Sequence, residues 1–228
     1  MIGGLQKVTL LDFPGKVACT VFLTGCNLRC PYCHNPDLVL TKDNGKYISE
    51  KEFFEFLLSR KGKLDGVCIT GGEPTLYPNL TNLIRRIREM GFLVKLDSNG
   101  TVPEILKPLL REKLLDYVAI DIKNAPSRYA EICGADVIEQ VKKSAALLKN
   151  SNIDYEFRTT VCHPFHSPKC MEEIGHWLRN AKRYFIQPFV YSGNLLLGSG
   201  ISAIAKPELE ALLSAVKPYI PAAELRGV

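Results

Sequence analysis

"DGVCITGGEPTLYPNLTNLIRRIREMGFLVKLDSNG", residues 65–100, decides the fold. Its opening, Asp65–Thr70, is short, mostly apolar and rich in β-branched residues, the pattern of a buried strand. Gly71-Gly72-Glu73-Pro74 then breaks the run with turn residues. "LTNLIRRIREM" places Leu80, Leu83, Ile84, Ile87 and Met90 at helical spacing on one face. Phe92–Ser98 reads as strand again. Two strands joined by one helix make a parallel pair with a right-handed crossover.

The same unit recurs in both directions. Further strand candidates are Val17–Thr24, Asp116–Ile122, Ile153–Val161 and Arg183–Val190. Between them, "SEKEFFEFLLSR" opens on a Ser49-to-Glu52 capping box. Ile138, Val141, Ala145 and Leu148 form a second helical face, and Ser167-Pro168 and Lys206-Pro207 read as helix starts. Six strands, each followed by a helix, fall short of the eight repeats that a closed barrel builds from about 250 residues. The expectation is an α/β fold, a partial and open (βα)6 barrel, in one domain over residues 1–228. Strand starts near 17, 65, 92, 116, 153 and 183 leave a first step of 48 residues. That excess holds "TGCNLRCPYCHN", residues 24–35, an elaborated loop after the first strand.

Every unusual polar cluster falls after a strand: this loop, "GGEP" at 71–74, "DSNG" at 97–100, "DIK" at 121–123, with Arg158 in the fifth strand and "QPF" at 187–189 in the sixth. Barrel chemistry gathers at the C-terminal ends of strands, so this rim is the expected site.

Composition excludes other classes. The chain is 46% apolar and 23% charged, as in globular proteins. No apolar run approaches the roughly 18 residues a membrane span needs, and "MIGGLQKVTLLDFPGK" lacks a signal-peptide pattern, so a cytoplasmic protein away from membranes is expected. The net charge is +5, with Arg85, Arg86 and Arg88, Lys142 and Lys143, and Lys182 and Arg183 scattered over separate segments. Solvated helix faces account for them better than nucleic-acid binding does.

Eight cysteines in a reducing compartment point to metal or redox chemistry rather than disulfides. Chance would place a C-x3-C-x2-C in such a chain roughly 0.01 times. Cys26, Cys30 and Cys33 are close enough to wrap one centre, either zinc or an iron–sulfur cluster. A closed zinc site wants a fourth ligand, and His34 directly abuts Cys33, which makes joint chelation awkward. Three fixed ligands leave one position open for a substrate.

"CNLRCPYC" followed by His34-Asn35 resembles the cluster loop of the radical S-adenosylmethionine superfamily, and the later motifs match in order along nearly the whole chain. The resemblance implies that Cys26, Cys30 and Cys33 hold three irons of a 4Fe–4S cluster, while S-adenosylmethionine chelates the fourth. It implies that Gly71, Gly72 and Glu73 bind the methionine amino group, that Tyr32 packs near cluster and adenine, and that Asn35 and Ser98 belong to the same cofactor site. "DFPG", "LDSNG", "DIK" and "CHNPD" resemble the glycyl-radical-enzyme activating subfamily. That likeness implies Asp97 and Asp121 as ligands of a monovalent cation, Lys123 as partner of the cosubstrate carboxylate, Arg158 beside them, and Asp12 at a partner-docking position. The implied partner is a glycyl radical enzyme, with anaerobic ribonucleoside-triphosphate reductase expected and a flavodoxin or ferredoxin as electron donor. A radical enzyme acting on a small molecule or peptide, an iron–sulfur electron carrier and a zinc-stabilised module are the rivals.

Plainer readings stand beside these. Asp97 and Asp121 are also suitable helix caps after strands, Lys123 a partner for Asp121, and Asp12 a turn residue before Pro14. Cys19 and Cys68 read as small buried hydrophobes. "CHPFHSPKC", residues 162–170, reads as an ordinary loop rather than a second metal site, and Cys133 carries no signal.

Overall fold

The computed structural model describes residues 1–40, 47–191, 193, 195–196 and 200–228. The six expected strands form with ends shifted by no more than two residues: β2 (Ala18–Leu23), β3 (Gly66–Gly71), β4 (Leu93–Ser98), β5 (Tyr117–Asp121), β6 (Asp154–Val161) and β7 (Tyr184–Pro188). Two strands join them. β1 (Ile2–Thr9) runs antiparallel to β2, pairing Ile2 with Leu23 and Thr9 with Ala18. β8 (Ala223–Leu225) runs parallel to β7. The sheet is ordered β1 to β8 along the chain and parallel from β2 onward. Among the described residues β1 and β8 stand at its two ends, so the barrel is open.

Helices α1 (Pro36–Val39), α2 (Glu50–Ser59), α3 (Leu80–Glu89), α4 (Pro103–Arg111), α5 (Tyr129–Cys133), α6 (Ile138–Lys149), α7 (Pro168–Trp177) and α8 (Lys206–Val216) fill the connections. The Ser49–Glu52 capping box forms at α2, and Ser167 caps α7 with Pro168 in its first turn. α3 buries Leu80, Leu83, Ile84 and Ile87, each contributing about 1.5–3 kcal/mol by leaving water. Its basic face is ion-paired, Arg85 to Glu112, Arg86 to Glu50 and Arg88 to Asp116. No helix among the described residues is long and apolar enough to cross a membrane.

Strand residues alternate between two different environments. Val67, Ile69, Val94, Leu96, Val118, Ile120, Tyr155 and Phe157 join the core beneath the helices. The residues between them, including Cys68, Lys95, Asp97, Asp121, Glu156 and Arg158, form a polar lining instead. Phe13, packed with Ala18, Tyr117 and Leu93, fills the end where the strands begin.

Candidate functional site

At the other end, a cavity of about 300 Å³ opens among the strand termini. Its wall includes Cys26, Cys30, Tyr32, Cys33, Asn35, Gly71, Gly72, Asp97, Ser98, Asp121, Lys123 and Arg158, so twelve of the fourteen expected site residues meet there. The two exceptions are Glu73 and Asp12. A larger groove of about 1180 Å³ lies between α4 and α6 beside the strand starts, and no cysteine borders it.

The cysteine loop is held by its own backbone and its neighbours. The Arg29 guanidinium donates to the carbonyls of Cys26 (2.8 Å) and Leu28 (2.9 Å), while Arg29 N–H donates to the Cys133 carbonyl at 2.9 Å. Asn27 donates to Thr101 Oγ1 at 2.8 Å, and Asn99 donates to Asn27 Oδ1 at 3.0 Å. A hydrogen bond from the Cys133 thiol draws Cys30 down from the usual thiol range, whereas burial pushes Cys26 and Cys33 up. Cys133, silent in sequence, is therefore a buried neighbour of Cys30. Tyr32 fixes the loop from the far side: its hydroxyl donates to the Lys123 carbonyl at 2.6 Å, and its ring packs on Phe165 and His166. His34 stacks on Phe189 rather than turning toward the thiols. Asn35 is exposed at the start of α1.

Gly71 and Gly72 permit a contact different from the one expected of them. A Cβ on Gly71, at φ +124°, would lie 2.2 Å from the Leu23 carbonyl oxygen, and one on Gly72 would lie 2.1 Å from that of Gly25. What the double glycine approaches is the backbone entering the cysteine loop. Gly72 N–H and Glu73 N–H donate to Leu23 and Gly25 at 2.8 and 2.7 Å.

Glu73 is 1% exposed and turned away from the cavity. Its carboxylate accepts from Thr75 N–H (3.0 Å), Thr75 Oγ1 (2.5 Å), Ser98 Oγ (2.8 Å) and Asn99 N–H (2.6 Å). The side chain expected to receive an amino group is thus filled by four donors of this chain. It clamps the loop after β3 to the loop after β4, and burial pushes its pKa up.

The two aspartates are compensated from within. Lys95 Nζ bonds Asp97 Oδ1, and Arg158 Nη1 donates to Asp97 Oδ2 at 3.1 Å. Arg158 Nε donates to Asp121 Oδ1 at 2.8 Å, and Lys123 Nζ to Asp121 Oδ2 at 3.2 Å. Burial alone would push Asp121 up, but Arg158 and Lys123 hold it well below the usual carboxylate range. Arg158 also lies 3.8 Å from Glu156, which Arg226 grips with two hydrogen bonds of 2.8 Å. All four carboxylate oxygens of the two aspartates thus hold a cationic donor of the chain itself. Lys95 and Asn99 are the members that sequence reading missed. Lys95 was detectable as the polar residue two before Asp97 on a strand.

Asp12 lies at the opposite end of the barrel, where its carboxylate accepts from Thr20 Oγ1 at 2.5 Å. The residues of 162–170 bond in separate directions: Cys162 N–H donates to His166 Nδ1, His166 Nε2 meets the Lys123 carbonyl, and His163 pairs with Glu208. Among the described residues no three His, Cys, Asp or Glu side chains converge on one ion. The three thiols of the loop share a cavity wall instead, as ligands of a centre with several metal atoms do.

A Radical SAM superfamily model matches residues 20–178. The chain is 34% identical over 196 residues to a putative glycyl-radical enzyme activating enzyme of Methanocaldococcus jannaschii, covering 83% of this chain and 80% of that protein. It is 35% identical over 132 residues to the pyruvate formate-lyase-activating enzyme of Clostridium pasteurianum, covering 54% and 52% respectively. Streptococcus suis SuiB bound to S-adenosylmethionine superposes over 91% of this chain and 52% of its own with a TM-score of 0.70, and at 16% identity that likeness concerns the fold. The superfamily takes a 4Fe–4S cluster and S-adenosylmethionine, and three loop thiols sharing one cavity with Lys123 and Arg158 fit both. Thiols, barrel and relatives agree: this enzyme belongs to the radical SAM superfamily and, within it, to the glycyl-radical-enzyme activating enzymes.

Proposed function

We propose that the chain installs a glycyl radical on anaerobic ribonucleoside-triphosphate reductase, with reduced flavodoxin or ferredoxin supplying the electron. One observation carries the reading: the three loop thiols open into the same cavity as the cationic end of the ion-pair network at the strand termini. Cys26, Cys30 and Cys33 are the residues that would hold the cluster. When bound, cluster and S-adenosylmethionine together supply the one-electron chemistry that takes a hydrogen atom from a backbone glycine. The chain's own residues bind and orient. Lys123 and Arg158 present positive charge to the cosubstrate carboxylate, Gly71 and Gly72 let the β3 loop lie against the backbone that leads into the cysteine loop, and Ser98 and Asn35 border the remaining surface. Tyr32, fixed at ring and hydroxyl, excludes water beside the thiols.

The test is to mix the reconstituted holoprotein with the reductase, S-adenosylmethionine and a reductant, then record electron paramagnetic resonance and assay 5′-deoxyadenosine. A glycyl doublet on the reductase is expected. Deoxyadenosine without the doublet would overturn this partner and point to another substrate; neither signal from a fully loaded protein would overturn the reading altogether.

A further inference from the structure

Lys95 is 1% exposed, inside β4, and lies on the same strand face as Asp97. Lysines are almost never buried so completely unless paired. Its ammonium bonds Asp97, stands 3.9 Å from Cys68 Sγ and lies 5.8 Å from the centre of the Tyr117 ring. Arg158 then bridges Asp97 to Asp121, Lys123 completes Asp121, and Glu156 with Arg226 closes the far side. Within this ion-paired network three carboxylates (Asp97, Asp121, Glu156) meet four cations (Lys95, Lys123, Arg158, Arg226), an excess of one positive charge. A metal cation entering here would compete for occupied oxygens and double that excess where hydration is poor. An incoming carboxylate would cancel it.

We propose that Lys95 is a tethered replacement for a monovalent cation: it holds Asp97 directly and Asp121 through Arg158, so that the cosubstrate carboxylate is taken up without any requirement for Na⁺ or K⁺. Lys95 is a positioning residue, since it stands behind the cavity wall rather than in it. The inference rests on the cavity being the S-adenosylmethionine site.

The experiment measures S-adenosylmethionine binding to the reconstituted holoprotein by calorimetry, at fixed ionic strength, with either tetramethylammonium or K⁺ as the sole buffer cation. The native protein binds equally in both, within about twofold. Lys95→Met keeps the length of the stem and removes the charge. It binds about tenfold more weakly in tetramethylammonium, a 1.4 kcal/mol difference, and regains most of that loss in K⁺. Rescue by a free cation is a response that a merely structural lysine would not give. A native protein that needs K⁺ for tight binding overturns the proposal whether or not the variant folds. A Lys95→Met protein equally weak in both buffers, or equal to the native one, also overturns it. Failure of the fully loaded native protein to bind in either buffer overturns the reading of the cavity itself, which is a distinguishable result.

Discussion

Glu73 shows how burial sets a residue's partners. Its carboxylate is satisfied by two backbone N–H groups and two hydroxyls from the adjoining loops. Glu73→Ala strips their acceptor and leaves buried donors unpaired, which costs about 1–3 kcal/mol. The urea midpoint should fall accordingly, with an unchanged slope. Sequence showed that this residue belongs to the rim but not which way it points. Direction in a loop depends on which donors the neighbouring loops present, and no periodicity encodes that. Lys95 is the converse. Period two placed it beside Asp97, yet the surrounding apolar residues made β4 read as a strand buried on both faces, whereas one face is polar.

Among elements, strong patterns translated directly. The capping box of α2, the apolar face of α3 and the proline starts of α7 and α8 stand where their residues placed them. β1 and β8 were illegible for physical reasons. β1 breaks its apolar positions with Gly3 and Gly4 and with the exposed Gln6 and Lys7, and β8 has only three residues, so neither carries an apolar run. The contact between the β3 loop and the cysteine loop depends on two missing side chains. Gly72→Ala forces a methyl group against the Gly25 carbonyl, an overpacking cost of about 1–3 kcal/mol. Differential scanning should show a melting temperature lower by roughly 2–12 °C. Iron bound after reconstitution should fall with it, because the displaced backbone leads into Cys26.

At the scale of the molecule, the polar lining makes stability sensitive to acid. Burial by itself would raise Asp121 and Glu156, but Arg158 with Lys123, and Arg226 with Arg158, hold both below their ordinary values. A carboxylate depressed in the folded state adds stability above its unfolded pKa, about 4, and that contribution disappears as pH falls through the folded value. Glu73, raised by burial, acts with the opposite sign and gains as pH drops. The urea midpoint of the metal-free chain should therefore be lower at pH 3 than at pH 6, and Glu156→Gln should flatten the difference.

The hydrogen bonds linking Asn27, Asn99, Thr101, Ser98 and Glu73 have one more consequence. They tie three loops of the rim into a single lattice, so the disorder those loops would otherwise carry is lost when the chain folds rather than when a ligand arrives. Association then involves little further ordering of the backbone, and binding energy goes to holding the ligand instead of to assembling its site.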